Sequence, residues 1–126
     1  MSEEANDGDQ VSISCEDGVV IARVFKAGVG QNDAARVIQQ IRVAIESLAE
    51  RLRYLVIDLS EVDFLPSVGI DLCVNVRNRA HILGADGVIV TGLNDRLERL
   101  FTIMKLDAVF TVVQDPSDLD RITSGE

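Results

Sequence analysis

The sequence predicts an α/β fold: a mixed, mostly parallel sheet with helices packed against it, in the order β-β-α-β-α-β-α-β, with a short C-terminal helix able to follow. Three observations predict it. Apolar residues switch repeatedly between a period of two and a helical period along the chain. The run Tyr54-Leu55-Val56-Ile57-Asp58-Leu59 is nearly continuous in apolar side chains, as a strand covered on both faces requires. Glycines and prolines punctuate the periodic segments, where turns and helix ends need them. Strands alternating with helices imply parallel pairing and right-handed crossovers.

Each element has its own signal. Val11 to Cys15 alternates apolar and polar residues, and Val19 to Phe25 is dense in β-branched ones. Glu16-Asp17-Gly18 between them reads as a hairpin turn, so the two strands pair antiparallel. From Asn32 to Leu52, residues Ala34, Ile38, Ile41, Ile45 and Leu48 recur at steps of four and three, one face of an amphipathic helix. Asn32 or Asp33 is placed to cap its start. Asp58, inside the central strand, must find a partner. A second helix is expected from Ser67 to Leu83, with Ile70, Cys73, Val74, Ala80 and Leu83 inward and Gly84 at its end. Val88-Ile89-Val90 is a strand. Leu93, Leu97, Leu100, Phe101 and Met104 mark a third helix, Val109 to Val113 a last strand, and Pro116 to Ile122 a terminal helical turn.

The chain has 126 residues, enough for a single core without disulfides or metals. The expected organisation is an acidic, disordered segment 1–10, one domain over 11–122, and a tail 123–126. The core should be aliphatic, because Trp is absent and only five residues are Phe or Tyr. Of the net charge of −9, −4 lies in the first ten residues and −3 from Val112 onward. The ends therefore carry the acidity, and no basic footprint for nucleic acid exists. Cys15 and Cys73 form no CxxC pair, and Cys73 reads as a buried free thiol. No stretch is long enough to insert into a membrane, and the start lacks a signal-peptide pattern, so a cytoplasmic location is expected.

Other chemistry finds weak support. Gly28-Val29-Gly30 sits between a strand and a helix, but Asp33 stands where a dinucleotide loop has its third Gly. A flexible turn is expected there, with no cofactor. Asp58, Glu61 and Asp63 could hold Mg²⁺, but solvated loop acids are the commoner case and no metal is expected. No lysine is expected beside that cluster, since Lys105 lies far downstream. His81, the only histidine, has no partner for triad chemistry, and no catalytic residues are expected. Arg77, Arg79, Arg96 and Arg99 read as solvated surface.

The ordered set Val56-Ile57-Asp58-Leu59, Val62-Asp63-Phe64-Leu65-Pro66-Ser67-Val68-Gly69, Gly84-Ala85-Asp86-Gly87 and Leu106-Asp107-Ala108-Val109-Phe110 resembles the STAS domain of anti-sigma factor antagonists. Such members carry Asp-Ser-Ser-Gly at a helix start. The resemblance implies that the first Ser of that motif, here Ser67, is phosphorylated by an anti-sigma factor that is also a serine kinase. It implies that the unphosphorylated protein binds that kinase and that a phosphatase resets the switch. The implied partner surface comprises Asp63, Pro66, Ser67, Val68, Gly69 and Asp71 on a monomer or weak dimer. Pro66 replaces the motif's Asp and Val68 its second Ser. These departures motivate an alternative: an unphosphorylated scaffold or accessory subunit of a stress-signalling complex or transporter. Read from the residues, Ser67 is equally a helix cap, and Gly69 a small residue that lets the helix approach the sheet.

Overall fold

A computed structural model of the protein describes residues 10–30 and 32–124. The expectation for residues 1–9 lies outside them. The chain opens with a hairpin of β1 (Val11–Glu16) and β2 (Val19–Phe25). The turn residues Asp17 and Gly18 both have positive φ, 53° and 81°, the two-residue turn whose twist suits paired strands. A single 3₁₀ turn, Lys26–Val29, leads to α1 (Ala34–Leu48). Then come β3 (Tyr54–Glu61), α2 (Ser67–Ile82), β4 (Gly87–Thr91), α3 (Asp95–Ile103), β5 (Thr111–Val112) and α4 (Pro116–Thr123). The five strands form one sheet in the order β1-β2-β3-β4-β5. Only the β1–β2 pair is antiparallel. The expected mixed, mostly parallel architecture is the one observed.

The period-two alternation of β3 sends its side chains to two different cores. Leu55, Ile57 and Leu59 join the large cluster, with Val37, Ile41 and Ile45 of α1 and Leu72, Cys73 and Val76 of α2. Val56 points the other way, into a small cluster with Val19, Ile89 and Val113, against which Leu119 and Ile122 of α4 pack. The run of apolar residues in the sequence is thus explained by coverage on both faces. Asp58 shares the second face, where Arg23 stands in register beside it on β2.

Several sequence expectations shift in detail. α1 stops at Leu48 rather than Leu52. A 3₁₀ turn, Ala49–Arg51, follows it, and Ala49 takes φ 50°. That break lets Leu52 turn into the core. Asp33 occupies the N-cap of α1 but makes no capping bond with its side chain. Its carboxylate instead accepts from Gln10 Nε2 at 3.3 Å, tying the start of β1 to α1. On α2 the buried residues are Gly69, Leu72, Cys73, Val76 and Ala80. The expected Ile70, Val74 and Leu83 are only partly buried. The helix has turned a stripe of small residues, spaced four, three and four apart, toward the sheet. It ends as the Gly84 signal requires: Ala85 N–H donates to Ala80 O and Gly84 N–H to His81 O.

Met104 does not face inward. α3 ends at Ile103, and the left-handed Lys105 (φ 59°) turns the chain away, leaving Met104 exposed. β5 is two residues rather than five, because Leu106–Ala108 curl into a 3₁₀ turn that buries Leu106 and Phe110. Gln114 extends the short edge with its side chain. Its Oε1 accepts from Leu93 N–H and its Nε2 donates to Leu93 O, at 3.0 and 2.7 Å. Cys15, alternating with Val11 and Ile13 in sequence, is exposed at the hairpin end, whereas Cys73 is buried. Burial pushes the Cys73 thiol up to about 12, so it stays protonated and unreactive.

Candidate functional site

Open α/β sheets gather their functional loops at the carboxyl ends of parallel strands. Here those are the loop from β3 to α2, residues 62–66, and the loop from β4 to α3, residues 92–94. The β3–α2 loop is anchored by its apolar residues. Val62 and Leu65 are each 2% exposed and join the large core. Phe64 between them is 56% exposed. The chain thus spends two apolar side chains on holding the loop and turns the third outward.

Polar contacts complete the anchoring. Ser60 N–H donates to Asp58 Oδ1 at 2.9 Å. Asn94 Nδ2 donates to the Asp63 carbonyl at 3.1 Å, while Asn94 Oδ1 accepts from Leu97 N–H at 2.8 Å as the cap of α3. One side chain therefore both starts α3 and holds the neighbouring loop. Gly92 makes the close approach of the β4–α3 loop to the end of β3 possible. It has φ +78°, and a Cβ there would stand 2.7 Å from Ser60 N and 2.9 Å from Asp58 Oδ1. Only glycine suits both the conformation and the space.

Ser67 is the first residue of α2 and is exposed. Pro66 takes the N-cap, extended at φ −70° and ψ 172°, and no side chain caps the helix. The cap role considered for Ser67 is thereby excluded by position: the residue stands one place inside the helix. Val68 is half-buried and packs against the core. Gly69 is buried, and an added Cβ would meet Leu65 Cδ1 at 2.7 Å and Val29 Cβ at 3.2 Å. Its small size is a packing requirement between α2, the loop and the 3₁₀ turn after β2. Asp71 is exposed one turn beyond Ser67, on the same helix face.

The acidic residues do not converge. Asp58 lies 3.3 Å from Arg23 Nε and is 16% exposed at its side chain. Asp63 faces Lys26 Nζ at 3.4 Å, both side chains 76% exposed. Among the described residues, no group of three His, Cys, Asp or Glu side chains is placed to hold a metal ion. The expectation that no lysine stands near this cluster is corrected: Lys26, far upstream in sequence, reaches Asp63 because β2 pairs with β3 in parallel and delivers the following turn to the same edge. The Asn94 cap was readable as an Asn just before a helical run. Its bond to Asp63, like the Lys26 pair and the Gly92 contact, was not readable, because the partners are about thirty or more residues apart. A hollow of about 550 Å³ lies beside α3 and is lined by Leu93, Glu98, Arg99, Phe101 and Asp107 among others. It does not include Ser67.

The STAS domain family model matches residues 10–119, and the chain belongs to that family. Solved structures share its fold. The NMR structure of protein TM1081 from Thermotoga maritima matches with TM-score 0.77 at 15% identity, covering 100% of this chain and 98% of that one. An anti-sigma factor antagonist from Mycobacterium paratuberculosis matches with TM-score 0.70 at 24% identity, covering 86% of this chain and 87% of that one. The Bacillus cell fate determinant SpoIIAA in its phosphorylated form matches with TM-score 0.59 at 15% identity, covering 89% and 98%. No curated protein is significantly similar in sequence. Among the described residues, no helix is long and apolar enough to cross a membrane.

Proposed function

We propose that this protein is an anti-sigma factor antagonist. It binds an anti-sigma factor that is also a serine kinase and releases it on phosphorylation at Ser67, so regulating transcription indirectly and catalysing nothing itself. The observation that carries the reading is the placement of Ser67. The residue is exposed and stands first in α2, and by the resemblance it matches the serine that is phosphorylated in the family's motif. The antagonist character of solved neighbours supports the role, and the existence of SpoIIAA in a phosphorylated form shows that the fold itself tolerates such a group.

The chemistry of the position fits. A phosphate at a helix start meets free N–H groups and the positive end of the helix dipole. The kinase supplies ATP and Mg²⁺, and this chain supplies only the acceptor oxygen. After transfer, a group of charge near −2 faces the remaining nucleotide diphosphate on the kinase and Asp71 on its own helix. The diphosphate, across the interface, repels it and opens the complex. A phosphatase then restores the hydroxyl. With Val68 packed inward, no second hydroxyl adjoins Ser67, so the switch rests on one atom. Asp63, Pro66, Val68, Gly69 and Asp71 complete the proposed partner surface.

That same inward Val68, together with Pro66 at the cap, favours a second reading, in which the surface binds constitutively as a scaffold or accessory subunit of a stress-signalling complex or transporter. A pull-down from native extract with wild type, Ser67→Ala and Ser67→Asp separates them. The switch requires a kinase-type anti-sigma factor to be recovered with wild type and Ser67→Ala but not with Ser67→Asp, and wild type to gain one phosphate at Ser67 by mass spectrometry. Equal recovery of one non-kinase partner by all three establishes the scaffold.

A further inference from the structure

We infer that Phe64 is the anchor of the partner contact, and that it enters an apolar pocket rimmed by lysine or arginine side chains on the anti-sigma factor kinase; this rests on the functional reading above. Four phenylalanines occur in the chain. Phe101 and Phe110 are buried and pack against each other with ring centroids 5.9 Å apart. Phe64 is the one that leaves more than half of its surface in water. It does so from a loop that is not loose: Val62 and Leu65 are buried on either side, Asn94 holds the Asp63 carbonyl, and Gly92 is pressed against Ser60. An exposed aromatic on a pre-ordered loop loses little entropy on docking, which is the property of an interface anchor.

The charge around it selects the partner. From Ser60 to Leu72 the chain carries three acids, Glu61, Asp63 and Asp71, and no basic residue. All three are exposed. Lys26, which reaches this edge, is paired with Asp63. An exposed aromatic within an exposed acidic stretch of chain fits a pocket bordered by cations, and such complementarity acts chiefly on the rate of association.

The test uses the full chain and the kinase recovered by the pull-down, loaded with ADP so that no transfer occurs, with association and dissociation rates measured from low to high salt. Phe64→Ala should speed dissociation about 30-fold or more, with an unchanged thermal midpoint because the ring is exposed. The double variant Glu61→Gln, Asp71→Asn should slow association several-fold and flatten its dependence on salt. Dissociation of Phe64→Ala within about twofold of wild type, or association of wild type that ignores salt, overturns the inference while leaving the functional reading intact. If wild type self-associates and Phe64→Ala abolishes this, the surface is a contact between copies and the inference is overturned. If wild type binds no kinase, the functional reading fails, and the anchor falls with it.

Discussion

The starts of α2 and α3 lie at the same edge of the sheet and are built in opposite ways. At α3, Asn94 takes the N-cap, its Oδ1 satisfies Leu97 N–H, and its Nδ2 holds the adjacent loop. At α2, Pro66 takes the cap with no side chain to offer, and the first hydroxyl stands inside the helix, exposed. One start is closed by its own residue; the other keeps its polar end open to a partner or a phosphate. α4 repeats the closed pattern, with Asp115 accepting from Ser117 N–H at 2.8 Å and Ser117 Oγ at 2.7 Å. The comparison teaches that capping and reactivity compete for the same polar groups. A serine serving as a cap holds its hydroxyl against the backbone; a serine one residue later is free to react.

The severest way to break this arrangement is at the glycine that lets the β4–α3 loop meet the end of β3. Gly92→Ala combines a left-handed backbone with a Cβ placed against the backbone of Ser60. It should cost about 3 kcal/mol or more, measured as a lower urea midpoint. An unfolding midpoint equal to wild type would show that the two segments do not need their close approach.

Next in size is Asn94→Ala, which removes a cap and a loop tether together. A loss of about 1–2 kcal/mol is expected, with faster amide exchange in residues 62–65 as well as in the first turn of α3. Exchange confined to α3 would show that the tether to Asp63 contributes nothing.

Ser67→Ala sharpens the contrast from the other side. With no cap to lose, its stability should stay within about 0.5 kcal/mol of wild type, even as phosphate incorporation ceases. A loss equal to that of Asn94→Ala would mean that Ser67 caps α2 after all.

The smallest effect belongs to α4 and depends on pH. The Ser117 hydrogen bonds hold the Asp115 carboxyl below the usual aspartate value of 3.8. A folded value below the unfolded one stabilises above the unfolded value, and that contribution is lost as pH falls through the folded one. Asp115→Asn keeps an acceptor oxygen but does not titrate. The thermal midpoint of wild type should therefore exceed that of the variant near neutrality and converge on it below the ordinary aspartate range. A gap independent of pH would refute the role of the charge.

The architecture was legible because its signals are local. The Asp17-Gly18 turn, the apolar run of β3, the helical steps of α1 and the Gly84 ending each follow from neighbours within a few residues, and the structure contains all four. The position of Ser67 at a helix start was legible in the same way. Rotation of α2 was not, since choosing Gly69, Leu72 and Val76 over Ile70 and Val74 depends on how closely the helix sits on the sheet. The short β5 escaped too, because Gln114 extends it through Leu93, a contact between distant segments.

At the candidate site the division is the same. The sequence by itself determined the order of elements, the apolar periodicity that builds two cores, and the chemical identity of the loop that carries Phe64 and Ser67. Tertiary structure alone decided that Lys26 meets Asp63, that Arg23 meets Asp58, and that Asn94 and Gly92 clamp the loop. The physical reason is range: propensity, capping and periodicity act over one or two turns of chain, whereas parallel pairing delivers residues from remote strands to a common edge, where their contacts depend on register and space that no short segment encodes.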